Sequence, residues 1–121
     1  MHFSYDIHAD VLVLIVEGRM NFPVRKIFQG VIEKTKLSRP HQIILNFYHV
    51  PSMDSAGIGI LMLAHKIFGE ANIPLSIEVS EGKVQQVLAL ANIGKAIPIS
   101  TTTAKPSPSS LPALDTILRN A

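Results

Sequence analysis

The stretch QIILNFYHVPSMDSAGIGILMLAHKIFG, residues 42–69, contains the change of periodicity that decides the fold. Residues 42–47 are short, apolar and β-branched at Ile43 and Ile44, the composition of a buried strand. Residues 48–54 are punctuated by Pro51 and Ser52 and read as a loop. From Ser55 to about Gly69 the apolar residues recur at helical spacing. Ile58, Leu61, Met62 and His65 lie along one stripe, and Ile60, Leu63, Ala64 and Ile67 along the next. An apolar surface that broad predicts a helix sunk between a sheet and another element, with His65 a candidate core histidine. A buried strand feeding a buried helix through a short loop is the building unit of an α/β domain.

The same alternation extends in both directions. Upstream, Phe3, Tyr5 and Ile7 alternate with Ser4, Asp6 and His8, and Ala9-Asp10 turns the chain into an apolar run at 11–16. This predicts an N-terminal β-hairpin whose second strand is covered on both faces. Asn21 is a candidate N-cap with Pro23 in the first turn, where a missing N–H costs nothing. Val24, Ile27, Phe28, Val31 and Ile32 then follow at helical spacing to about Lys36, and Arg39-Pro40 ends that helix. Downstream, residues 74–79 read as a strand, Ser80 as the cap of a third helix, and Asn92 as the left-handed residue closing it. Ile97-Pro-Ile99 reads as an edge strand. Residues 101–112 are rich in Ser, Thr and Pro, and Leu111, Leu114, Ile117 and Leu118 predict a short terminal helix that docks back. The expectation is a single α/β domain over residues 1–100, with a mixed sheet of four to five strands and about four α-helices. Residues 101–121 form the linker and docking helix.

Composition narrows the function. A chain of 121 residues, 47% hydrophobic and 17% charged, is core-rich and excludes a disordered tail. With no cysteine there is no disulfide scaffold, thiolate zinc site or cysteine nucleophile. The longest aliphatic run, 11–16, is too short to cross a bilayer, and the opening Met-His-Phe-Ser-Tyr-Asp is no signal peptide. A cytoplasmic protein with no membrane partner is expected. Arg25, Lys26, Lys34, Lys36 and Arg39 crowd one stretch, but no aromatic stacking pattern accompanies them, so they read as a solvated helix face and not a nucleic-acid site. The five histidines lack the i, i+3 or i, i+4 spacing of a helical metal site, and no Gly-rich loop offers a phosphate cradle, so no cofactor is expected.

The chemistry concentrates in residues 52–59. Gly57 and Gly59 sit in the first turns of a helix that each disfavours by about 1 kcal/mol relative to Ala. Either tight internal packing or an approaching partner requires them small. Ser55, at the helix start, admits three readings. In the first, Asp54 or Ser55 is a plain N-cap on a constitutive scaffold. In the second, Ser55 is a hydrolase nucleophile, but Met53 stands where the Gly-x-Ser-x-Gly elbow needs glycine, and neither His49 nor His65 has an evident carboxylate partner. In the third, Ser55 accepts a phosphate of about −1.5 to −2 charge, which a helix N-terminus tolerates and a docked partner does not.

Met53-Asp54-Ser55-Ala56-Gly57-Ile58-Gly59 resembles the signature of STAS domains, the anti-sigma factor antagonists of bacterial partner-switching systems, usually Met-Asp-Ser-Ser/Thr-Gly-Leu-Gly. Residues 16–21 (Val-Glu-Gly-Arg-Met-Asn) resemble the Gly-x-Leu-Asp that leaves the second strand in that family, and 42–47 the buried strand before the signature. Ser80, Val84, Leu88 and Asn92-Ile93 are similar to its third-helix pattern. The resemblance implies a non-enzymatic switch with Ser55 as phosphoacceptor. It implies as partners a GHKL-type serine kinase, often the anti-sigma factor itself, and a PP2C-type phosphatase. The implied contact surface is Asn21, Phe22, Ser52, Met53, Asp54, Ser55, Ala56, Gly57 and Ile58. Two positions depart from the pattern: Asn21 replaces the family aspartate and Ala56 replaces a second hydroxyl residue.

Overall fold

The computed structural model describes residues 2–106. β1 (His2–His8) turns through Ala9 and Asp10, both at positive φ, into β2 (Val11–Glu17), and the two strands pair antiparallel along their whole length. α1 (Arg25–Leu37) leads to β3 (Gln42–His49), α2 (Ser55–Glu70) to β4 (Leu75–Val79), and α3 (Lys83–Leu90) to β5 (Ile99–Thr101). The strands lie in sequence order, and every pairing after the hairpin is parallel. This is the expected mixed sheet with its N-terminal hairpin. Three α-helices fall among the described residues; the helix expected near residues 111–118 lies outside them.

The topology dictates where the helices go. Each parallel step moves one strand in the same direction, so right-handed crossovers carry all three helices to one face of the sheet. The core bears this out: Leu12, Leu14 and Val16 of β2, Ile43, Leu45 and Phe47 of β3, and Ile77 and Val79 of β4 all point into it. They meet Phe28 and Ile32 of α1, Ile60, Leu61, Ala64 and Phe68 of α2, and Val84 and Leu88 of α3. Phe3 meets Phe28 edge-on with ring centroids 5.4 Å apart, closing the core under β1. The other face carries Val13, Ile15, Asn46 and Glu78, against which residues 102–106 fold back. Asn46, buried there, donates to Glu78 Oε1 at 3.3 Å and accepts from the Tyr48 N–H at 3.0 Å, so its amide is satisfied.

Local starts differ from the sequence reading. Asn21 caps no α-helix: its carbonyl accepts from Val24 N–H at 3.1 Å in a 3-10 turn, Phe22–Val24, and α1 begins one residue later without a side-chain cap. Ser80 likewise caps nothing; α3 begins after Gly82, whose φ of 142° suits glycine. Asn92 is left-handed, as expected, at φ 55° and ψ 33°. His65 is exposed and is not a core residue, because the buried face of α2 (Gly57, Ile60, Leu61, Ala64 and Phe68) takes residues from both predicted stripes and leaves Met62, 42% exposed, and His65 on the outer side. No described helix is long and apolar enough to cross a membrane.

Leu45 is fully buried between two parallel neighbours, so Leu45→Ala is expected to cost about 2–5 kcal/mol through lost transfer energy and a cavity. Urea unfolding reads this as a lower midpoint at unchanged slope.

Candidate functional site

β2 and β3 run parallel side by side, so their C-terminal ends leave the sheet at the same edge, where open α/β sheets place their functional loops. The two exits stay zipped together beyond the strands. Gly18 N–H donates to the His49 carbonyl at 3.3 Å, with Gly18 at φ 113°. Met20 N–H then donates to the Ser52 carbonyl at 3.0 Å, and Asp54 N–H to the Met20 carbonyl at 3.1 Å, forming a parallel bridge between Met20 and Met53. Both methionine side chains are buried and anchor the loop to the core.

This bridge explains Gly57. A Cβ there would lie well inside contact distance of Met53 Cγ and 2.9 Å from the Met20 carbonyl oxygen. Internal packing therefore requires Gly57. Gly59 differs: a Cβ there would meet nothing within 4 Å, and the residue is exposed. The fold itself places no demand on its size.

Of the two candidate caps, Asp54 is the one that acts. With extended backbone (φ −107°, ψ −171°), its carboxylate accepts from Ala56 N–H at 2.9 Å and Gly57 N–H at 3.2 Å. Its carbonyl takes the Ile58 N–H at 3.2 Å. Ser55 is thereby relieved of capping. It is the first residue of α2, exposed, and its hydroxyl has no hydrogen-bond partner among the described residues. Asn21 and Ser52 stand half-buried on the adjoining loops, while Ala56 and Ile58 are half-buried in the first turn. Met53 and Gly57 shape the site from beneath. Phe22 belongs to the 3-10 turn beside it; its side chain lies outside the described part of the structure.

One lining residue escaped the sequence reading. Ser55, Ala56, Gly59, Ile60 and Leu63 of α2 line a groove of about 520 Å3 together with Arg25, the first residue of α1. The available signal was a cation in the opening turn of a helix, where the macrodipole disfavours positive charge by about 0.3–1 kcal/mol. His49, half-buried, places Nε2 3.9 Å from Glu17 Oε1, a carboxylate partner the sequence did not reveal. Neither His49 nor His65 lines the groove that holds Ser55. Among the described residues no group of three or more His, Asp or Glu side chains is placed to hold a metal ion.

Comparison with known proteins agrees with this architecture. The STAS domain family matches residues 2–105. A STAS-domain containing protein of Pseudomonas aeruginosa is 24% identical over 89 residues, covering 74% of this chain and 87% of that protein. TM1081 of Thermotoga maritima, a proposed anti-sigma factor antagonist, superposes with a TM-score of 0.74 at 24% identity, covering 84% of this chain and 86% of its own. The unphosphorylated anti-sigma factor antagonist SpoIIAA, a Bacillus protein, gives 0.69 at 16% identity over 84% of this chain and 89% of its own. At these identities the solved structures share the fold.

The two signature glycines should respond oppositely to alanine. Gly57→Ala forces apart Met53 and the Met20 backbone and is expected to destabilise by about 1–3 kcal/mol. Gly59→Ala gains helix propensity in open space and is expected to be neutral or stabilising by up to about 1 kcal/mol. Thermal unfolding of both variants checks the contrast.

Proposed function

The chain belongs to the STAS domain family, and from that premise we propose that it is an anti-sigma factor antagonist-like phosphoswitch controlled at Ser55. The unphosphorylated form binds a cognate serine kinase or anti-sigma factor, or another effector, and phosphorylation of Ser55 releases it. The observation that carries this reading is the division of labour at the start of α2: Asp54 satisfies the helix end, leaving Ser55 exposed and its hydroxyl unengaged. A serine needed for capping would lose its structural bond on esterification; this one has none to lose.

The chain supplies a hydroxyl and a docking face, and the catalysis belongs to the partner enzymes. Ser55 Oγ attacks the γ-phosphorus of ATP held by a GHKL-type kinase, the bond to ADP breaks, and the hydroxyl proton passes to a base on the kinase. A PP2C-type phosphatase returns the serine by hydrolysis. The helix tolerates the product, since the charge forms at the positive end of the α2 dipole. Beside the Asp54 carboxylate, however, the phosphate forms a doubly acidic knob. A partner docked over Asn21, Phe22, Ser52, Asp54, Ser55, Ala56 and Ile58 must desolvate that knob, at a cost on the order of several kcal/mol. Gly59, small without internal need, lets that partner approach α2 closely. Asn21 keeps a polar side chain where the family has a charge, so partner choice is tuned there. The cycle is a cytoplasmic one.

Incubation with candidate serine kinases followed by intact-mass measurement is expected to add one phosphate to the protein and none to Ser55→Ala. Modification that persists in Ser55→Ala removes Ser55 from the mechanism. Ser55→Asp should stay folded, within about 0.5 kcal/mol of the parent, yet lose the kinase complex in a pull-down.

A further inference from the structure

We propose that Arg25 holds the phosphate of phosphorylated Ser55, drawing it across the groove between the first turns of α1 and α2. The proposal rests on Ser55 being the phosphoacceptor and adds what the phosphate does once attached. The two helices follow neighbouring parallel strands, so their N-terminal turns emerge at the same sheet edge. Arg25 and Ser55, each the first residue of its helix, line the same groove of about 520 Å3, and Arg25 is the only charged side chain among its described lining residues.

Arg25 stands where a helix disfavours its charge. It puts a cation at the positive end of α1, next to Lys26, with no acidic residue in that turn to offset it. It is exposed, and among the described residues it makes no ion pair or hydrogen bond that would justify the position. Departures from local preference are expected at functional sites, and this one lies in the groove that holds Ser55. The missing contact is an anion, and the exposed hydroxyl sharing its groove is where one would be created. A guanidinium matches phosphate geometry with paired N–H donors. In the unmodified protein the groove stays open, floored by Ala56, Gly59, Ile60 and Leu63. In the modified protein an Arg25–phosphate pair bridges its mouth, so the partner loses both the free hydroxyl and the cleft beside it. Arg25 is thus a positioning residue that converts a local charge into closure of a docking groove.

The test installs phosphoserine at position 55 of the full chain during synthesis, with no kinase involved, and follows its second ionisation by 31P NMR. A neighbouring cation favours the dianion, so Arg25 lowers the midpoint. Arg25→Gln is expected to raise it by about half a pH unit at low salt, and Lys26→Gln, which removes the same charge outside the groove, to leave it in place. The difference should vanish at about 1 M salt, as for any exposed pair. Amide spectra of the unmodified variants establish that both remain folded. Coincident titrations of the parent and Arg25→Gln at low salt overturn the proposal while leaving the switch at Ser55 intact. An Arg25-dependent midpoint, combined with partner binding that phosphorylation does not alter, keeps the contact and overturns the switch instead.

Discussion

The backbone of Met20 is held from two sides: its N–H donates to Ser52, its carbonyl accepts from Asp54, and Gly57 packs against that same carbonyl. Two buried methionine side chains fix the bridge to the core. Everything at this end of the molecule follows from that constraint. It sets where the chain turns out of β3, hence where Asp54 stands to cap α2, hence which residue is left free. Had the loop been held by side chains, a modification there would compete with the contacts that shape it. Because it is held by main-chain hydrogen bonds, with Asp54 spent on the cap of α2, Ser55 is left exposed and its hydroxyl unengaged among the described residues.

The single-faced arrangement of helices has a related effect. Sequential parallel strands with right-handed crossovers bring the N-terminal turns of α1 and α2 together beyond the ends of β2 and β3. Two positive helix ends and two short loops are thereby gathered on one rim. On the proposed reading, a phosphate added at Ser55 would enter a field favourable to it, and a partner seated on that rim would meet a more negative surface.

Much of this was readable from residue pattern, and the failures are instructive. The apolar run of β2, the passage from buried strand to buried helix and the left-handed Asn92 are each dictated by local chemistry and stand in the structure, although β3 runs on through Tyr48 and His49, which read as loop. The starts of α1 and α3 were misplaced because Asn21 and Ser80 are good caps by type, while the chain leaves each strand through an additional turn. His65 departs from expectation because two adjacent apolar stripes on α2 leave its rotation undetermined, and the face packed against α1 and the sheet straddles both, with His65 just outside it. At the site, the signature exposed Ser55 and the demand for small residues. It could not say that Gly57 answers to Met20 and Met53 whereas Gly59 answers to nothing inside the fold. The pairing of Arg25 with Ser55 in one groove was invisible for a simpler reason: it is a consequence of sheet order, which no local pattern encodes.

That Asp54, and not its neighbour, secures the start of α2 bears on how such a protein diversifies. Position 55 carries almost no thermodynamic obligation to its own domain, so changes there are filtered by interaction alone and scarcely by foldability. If Ser55 is the phosphoacceptor, as proposed, lineages can exchange, silence or mimic it without first acquiring compensating substitutions elsewhere. A fold with that property can be duplicated and rewired to new partners by few mutational steps, each of them viable.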